Sequence, residues 1–170
     1  MANPTMTLIA SNTVGSGGVS SVTFSSIPAT YTDLVIKCSM RLSDTSPNWF
    51  DCYLSFNSSS TANQTQRVLY GSGASANSIS ESVINFRVNN SGGTSNTFGN
   101  AEIYIPNYTS SNYKSVSIDA VTEQNATNAY AGLQAGLWSS TAAITSIVIA
   151  PPSSNIVQYS TFYLYGIASS

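Results

Sequence analysis

The sequence predicts an all-β fold, a jelly-roll-type antiparallel β-sandwich of about eight to ten strands. Two observations predict it. Apolar and polar residues alternate with period two over most of the 170 residues. The alternating runs are short, and clusters of Gly, Pro, Asn and Ser separate them. The whole chain, 1–170, reads as one domain, with residues 1–6 as a possible N-terminal arm.

The runs follow in order. Over 34–42 the even positions are Leu34, Ile36, Cys38, Met40 and Leu42, with Lys37, Ser39 and Arg41 between them. One face is apolar and the other wet, as a half-buried strand requires. Phe50, Cys52, Leu54 and Phe56 repeat the pattern against Asp51 and Ser55. Ile84, Phe86 and Val88 oppose Asn85 and Arg87, and Ala101, Ile103 and Ile105 oppose Glu102 and Tyr104. Val116, Ile118 and Ala120 alternate with Ser115, Ser117 and Asp119. Over 131–137, Ala131, Leu133, Ala135 and Leu137 are expected to face the core, with Gln134 and two glycines outward. Residues 144–149 read as a fully buried strand and 158–167 as the last one. Positive-φ glycines at 15–18 and prolines at 28, 47, 106 and 151 break the pairing between runs. Only 123–137, with its alanines, tempts toward helix, and Gly132 and Gly136 weaken that reading by about 1 kcal/mol each.

Charge limits the partners. Charged residues are 7% of the chain and the net charge is -2, while Ser, Thr and Asn together exceed a third. Such a surface is polar but nearly neutral. Lys37, Arg41, Arg67, Arg87 and Lys114 are scattered, so there is no basic stripe to displace counterions from a nucleic acid or an anionic membrane. No apolar run approaches the roughly 20 residues that span a bilayer. The first residues carry neither the charge nor the apolar stretch of a secretory signal, so assembly in a cytoplasm is expected. Cys38 and Cys52 are then expected to be buried free thiols, a disulfide being the alternative.

Little chemistry is available. There is no histidine, which removes Ser-His and Cys-His nucleophile schemes. Gly15 to Gly18 lacks the lysine of a phosphate-binding loop. Two thiols without histidine do not compose a zinc site, and the acids show no calcium-loop spacing. No cofactor is expected. Glu102 and Asp119 are the one carboxylate pair that adjacent strands could bring together, and hydrolases use such pairs about 5–10 Å apart. Two solvated acids on an exposed sheet face are the preferred reading, since exposure is the default for carboxylates, and no enzymatic activity is expected. Five matches to a glycosylation sequon, starting at Asn57, Asn63, Asn89, Asn107 and Asn125, are what so much Ser, Thr and Asn produces by chance.

The aromatic residues carry more information. In the last run Tyr159, Tyr163 and Tyr165 fall on the side opposite Phe162 and Leu164. Trp49, Tyr53, Tyr104 and Trp138 also fall on outward positions by alternation. Three readings are open: cover by a second layer, a subunit or partner interface, or a platform that stacks on sugars.

Several segments resemble one family. The opening Thr7-Leu-Ile-Ala-Ser-Asn-Thr-Val-Gly, then Ala101-Glu-Ile-Tyr-Ile-Pro-Asn-Tyr, Lys114-Ser-Val-Ser-Ile-Asp and Gly136-Leu-Trp-Ser-Ser-Thr-Ala-Ala-Ile, and the closing Tyr159-Ser-Thr-Phe-Tyr-Leu-Tyr-Gly-Ile are similar to small virion structural proteins of cyanophages and other marine bacteriophages. The segment 42–100 departs most from that pattern. The resemblance brings no catalytic residues with it. It implies a virion location and a capsid decoration or cement role on the major capsid protein, with a homo-oligomer, a trimer by analogy. The alternative is a tail-fibre or receptor-binding module that recognises glycans.

Overall fold

The computed structural model describes residues 5–46, 49–58, 60–125 and 129–168. The all-β prediction holds: there is no helix among the described residues, and within the 123–137 segment residues 130–137 belong to a strand. Among the described residues twelve strands form, β1 (Met6–Thr13), β2 (Val22–Phe24), β3 (Asp33–Leu42), β4 (Trp49–Phe56), β5 (Gln64–Gly71), β6 (Ala76–Glu81), β7 (Asn85–Asn90), β8 (Gly99–Ile105), β9 (Lys114–Thr122), β10 (Tyr130–Trp138), β11 (Ile147–Ala150) and β12 (Thr161–Ile167). The excess over eight to ten lies mainly in β1, β2, β5 and β6. These elements are too polar or too short to show a clear alternation.

One sheet runs β1-β12-β3-β8-β9-β10-β5-β6 and the other β2-β11-β4-β7. They face each other as a β-sandwich. Most connections pass from one sheet to the other, as in a jelly roll, while the β8-β9-β10 meander and the β5-β6 hairpin stay within the larger sheet. The pairing is antiparallel with one exception. At its end β3 leaves the larger sheet and pairs parallel with β7, Arg41 opposite Asn89 and Leu42 opposite Asn90, which joins the two layers along one strand. Arg41 fixes this junction: its guanidinium donates to the carbonyls of Gly93, Thr94 and Thr97 and holds the loop before β8.

The core is one contiguous cluster that draws Leu34, Ile36, Cys38 and Met40 from β3, Cys52, Leu54 and Phe56 from β4, Phe86 and Val88 from β7, and Phe162 and Leu164 from β12. Fully burying each such side chain is worth about 1.5–3 kcal/mol. Both cysteines are free and buried.

Four expectations need correction. First, the faces of β10 are reversed: Ala131, Leu133 and Ala135 point to solvent, and Tyr130, Gly132, Gln134, Gly136 and Trp138 point inward. The inner side needs space there. A Cβ on Gly132 would lie 2.3 Å from the Tyr130 hydroxyl, and one on Gly136 3.0 Å from Ile84. Gln134 is buried because its amide donates to the Tyr130 hydroxyl at 2.9 Å. Second, 144–149 is strand only from Ile147; Thr145 and Ser146 instead donate their backbone N–H to the side chain of Asn57. Third, the last strand begins at Thr161, because Tyr159 takes a φ of 72° in the preceding turn. Fourth, Met6 opens β1, and Thr5 accepts a backbone hydrogen bond from Ala168, so these two residues belong to the sheet edge rather than to an arm. Residues 1–4 lie outside the described residues.

Candidate interaction face

The outer face of the larger sheet carries most of the exposed large apolar and aromatic side chains, Met6, Leu8, Leu69, Tyr104, Leu133 and Tyr163. Register places them in two rows that cross the strands. One row reads Leu8, Tyr165, Val35, Tyr104, Ser117, Ala135, Arg67 and Ser80. The other reads Ser11, Tyr163, Lys37, Glu102, Asp119, Leu133, Leu69 and Ser78. Each row is built because side chains two apart on a strand share a face and cross-strand partners stand side by side.

The rows divide into two regions. Along β1 and β12 lies a strip of Met6, Leu8, Tyr163 and Tyr165. Met6 is 40% exposed, Leu8 51% and Tyr163 37%. The rings of Tyr163 and Tyr165 lie 6.5 Å apart. β1 is an edge strand, paired only with β12 among the described residues.

Across β8, β9, β10 and β5 lies a trough of about 560 Å³. Its walls are Tyr104 on one side and Leu69 and Leu133 on the other, and Glu102, Asp119 and Arg67 stand at its rim. Leu133 and Leu69 are 61% and 59% exposed. The small side chains of Ser117 and Ala135 between the walls give it depth. It continues past Leu133 into a second hollow, of about 460 Å³, over Ala131, Gly71 and Ala76. Between strip and trough stands the exposed ion pair of Lys37 and Glu102, 2.8 Å apart, which raises the Lys37 ammonium above its ordinary value. The Tyr104 hydroxyl donates to Asp33 at 2.8 Å. That bond fixes the ring and raises the phenol above its usual value.

Glu102 and Asp119 do come together, directly opposite one another on β8 and β9. Opposed residues in an antiparallel pair have Cα atoms about 4.5–5.5 Å apart. Glu102 is engaged by Lys37, whereas Asp119 enters no ion pair among the described residues. No group of His, Cys, Asp and Glu among the described residues could hold a metal ion.

The seven aromatic candidates separate. Tyr104, Tyr163 and Tyr165 lie on the outer face of the larger sheet. Tyr159 is exposed but sits in a turn. Tyr53 is half-buried on β4. Trp138 is buried against Phe56, 5.3 Å between ring centroids, with the Lys114 ammonium 5.8 Å from its ring. Its outward assignment followed from the reversed alternation of β10. Trp49 is half-buried with Tyr130 and Tyr70 around the Arg87 guanidinium, whose centre lies 5.7, 5.2 and 4.9 Å from the three rings. Asp51 completes this cation site, 3.3 Å from Arg87 Nε. The expected second layer therefore covers Trp49 and Trp138 and leaves the tyrosines of β8 and β12 open.

Sequence reasoning missed Leu69 and Leu133. The first lies in a strand with no apolar alternation, and the second was assigned to the core. Cys38 and Cys52 offer no reactive thiolate: burial pushes Cys38 up to about 12 and Cys52 well above its ordinary value. Comparison of the chain with protein-family models and with characterised proteins finds no match. The class that fold and surface define is an all-β sandwich with exposed apolar and aromatic side chains on the outer face of its larger sheet.

Proposed function

We propose that this chain is a structural protein of a bacteriophage virion, a decoration or cement protein that attaches to the head shell across neighbouring capsomers. The observation that carries this reading is the strip of Met6, Leu8, Tyr163 and Tyr165 on the β1–β12 edge. It combines exposed apolar surface with an unpaired strand edge. Tyrosine suits such a contact, since it buries a ring while its hydroxyl stays hydrogen-bonded. An edge strand adds main-chain hydrogen bonds to the same contact.

The mechanism is adhesion. The chain binds the assembled lattice of the major capsid protein and not its separated subunits, so it stabilises the lattice by mass action. A closed homotrimer would present three copies of the strip at once. With 7% charged residues, attachment does not depend on ion pairs. The resemblance of the opening, central and closing segments to marine-phage structural proteins supports the same role.

Immunogold labelling of intact particles tests the location. Label on the shell is expected, and label confined to the tail would overturn the decoration role. Particles washed in molar NaCl are expected to retain the protein. Leu8→Ser with Tyr163→Ala is expected to reduce its occupancy on particles at least about tenfold. A tail-fibre or receptor-binding module is the second reading, and the trough over β9 and β10 is the observation that favours it.

A further inference from the structure

We propose that the trough over β8, β9, β10 and β5 is a binding site for a short, uncharged saccharide. The inference rests on the trough's geometry and holds for either location in the virion.

The occupant follows from what the trough can and cannot satisfy. β9 and β10 are each paired on both sides, and so is β5. Their backbone groups are already used in the ladders, so an extended peptide laid in the trough would find no main-chain partners for its own N–H and C=O groups. A hydrocarbon chain would bring Asp119, Glu102 and Arg67 against apolar carbon, which is unfavourable for charges. A second copy of the same face would set hollow against hollow. A pyranose avoids all three mismatches. Its C–H faces match the walls of Leu69, Leu133 and Tyr104, and its equatorial hydroxyls reach the rim.

The rim supplies both hydrogen-bonding polarities. Asp119, in no ion pair among the described residues, accepts from hydroxyls. The Arg67 guanidinium donates one bond, to the carbonyl of Gln66 at 3.0 Å, and retains further N–H groups for a ligand. Tyr104 is pinned through its hydroxyl on Asp33, so the ring is ordered before binding. The charges around the trough sum to zero, Glu102 with Lys37 and Asp119 against Arg67, so no net charge draws an ionic sugar. The volume of about 560 Å³ lies within the size range of small-molecule sites.

The test is saturation-transfer NMR and calorimetry on the full chain with a panel of neutral gluco-, galacto-, manno- and N-acetylglucosamine oligosaccharides, and with sialylated and uronate oligomers beside them. Saturable binding of at least one neutral member is expected at millimolar affinity or better. Asp119→Ala and Leu133→Ser, both exposed positions, are each expected to weaken it at least about tenfold with an unchanged melting temperature. Tyr163→Ala is expected to leave it unaffected. Absence of saturable binding across the panel would overturn the proposal. So would binding that survives both trough substitutions, or a preference for the anionic oligomers. Ultracentrifugation that shows Leu133→Ser dissociating an oligomer would assign the trough to a second copy and equally overturn it.

Discussion

At the residue scale, buried charge is used to hold loops. Lys114 is 1% exposed, and its ammonium donates to the carbonyls of Ser110, Asn112 and Ser140 at 2.6, 2.8 and 3.4 Å. Burial lowers the ammonium from its ordinary value, and these three carbonyls offset the cost of keeping it charged. Lys114→Met removes the donors and leaves the carbonyls without them. Its expected cost is about 2–4 kcal/mol, read as a lower urea midpoint with an unchanged slope. The thiols make a pH prediction. Cys38 keeps its proton in the fold up to about 12, whereas an ordinary thiol loses it near 9.0. Between those values the folded state holds the proton that the unfolded chain has lost, so stability is fully present below pH 9 and falls as pH rises toward 12. Urea titrations across that window are expected to show a shallower alkaline loss in Cys38→Ala than in the parent. At neutral pH neither thiol is expected to react with a disulfide reagent until the chain unfolds.

At the scale of the element, β10 separates hydropathy from burial. Its apolar face, Ala131, Leu133 and Ala135, is the wet one, and its inner face mixes Tyr130, Trp138, Gln134 and two glycines. The pattern misleads because glycine and glutamine count as polar, although here glycine supplies room for the Tyr130 ring and glutamine supplies its hydrogen-bond partner. Substitutions distinguish the two registers. Trp138→Ala is expected to cost about 3–5 kcal/mol and Gly132→Ala about 1–3 kcal/mol through overpacking. Leu133→Ser is expected to stay within about 0.5 kcal/mol of the parent. The reverse order, measured by urea denaturation, would restore the register that hydropathy indicates. By contrast the core faces of β3, β4 and β9 were legible because apolar side chains fill them: Leu34, Ile36, Cys38 and Met40, then Cys52, Leu54 and Phe56, then Val116, Ile118 and Ala120 are all enclosed, and most of the residues between them are polar.

At the scale of the whole molecule, β3 belongs to both layers, and one core spans them. The sandwich is therefore expected to unfold in one step. Trp138 lies on β10 in the larger sheet and Trp49 on β4 in the smaller one. Trp49→Phe and Trp138→Phe leave single-tryptophan proteins whose remaining indole reports on one of two contacts between the sheets, Trp138 against Phe56 or Trp49 against Tyr130. Within each protein, fluorescence and far-ultraviolet circular dichroism are expected to give the same urea midpoint, and two separated transitions would show that the sheets are independent. The larger sheet's strip and trough stand on opposite sides of the Lys37–Glu102 pair, so substitutions can test the proposed attachment and the proposed ligand binding separately.

By itself the sequence determined the all-β class, the core faces of β3, β4, β7, β8, β9 and β12, and the buried state of both cysteines. Period-two alternation records burial wherever an apolar side chain is what fills the space. Only the tertiary structure decided the face of β10, the enclosure of Trp49 around Arg87, the existence of β1, β2, β5 and β6 as strands, and the trough. Those features depend on which strand lies beside which, and on whether the room beneath a side chain is taken by a ring, an amide or water. A local pattern carries no record of that, because the contacts that settle it join residues far apart along the chain.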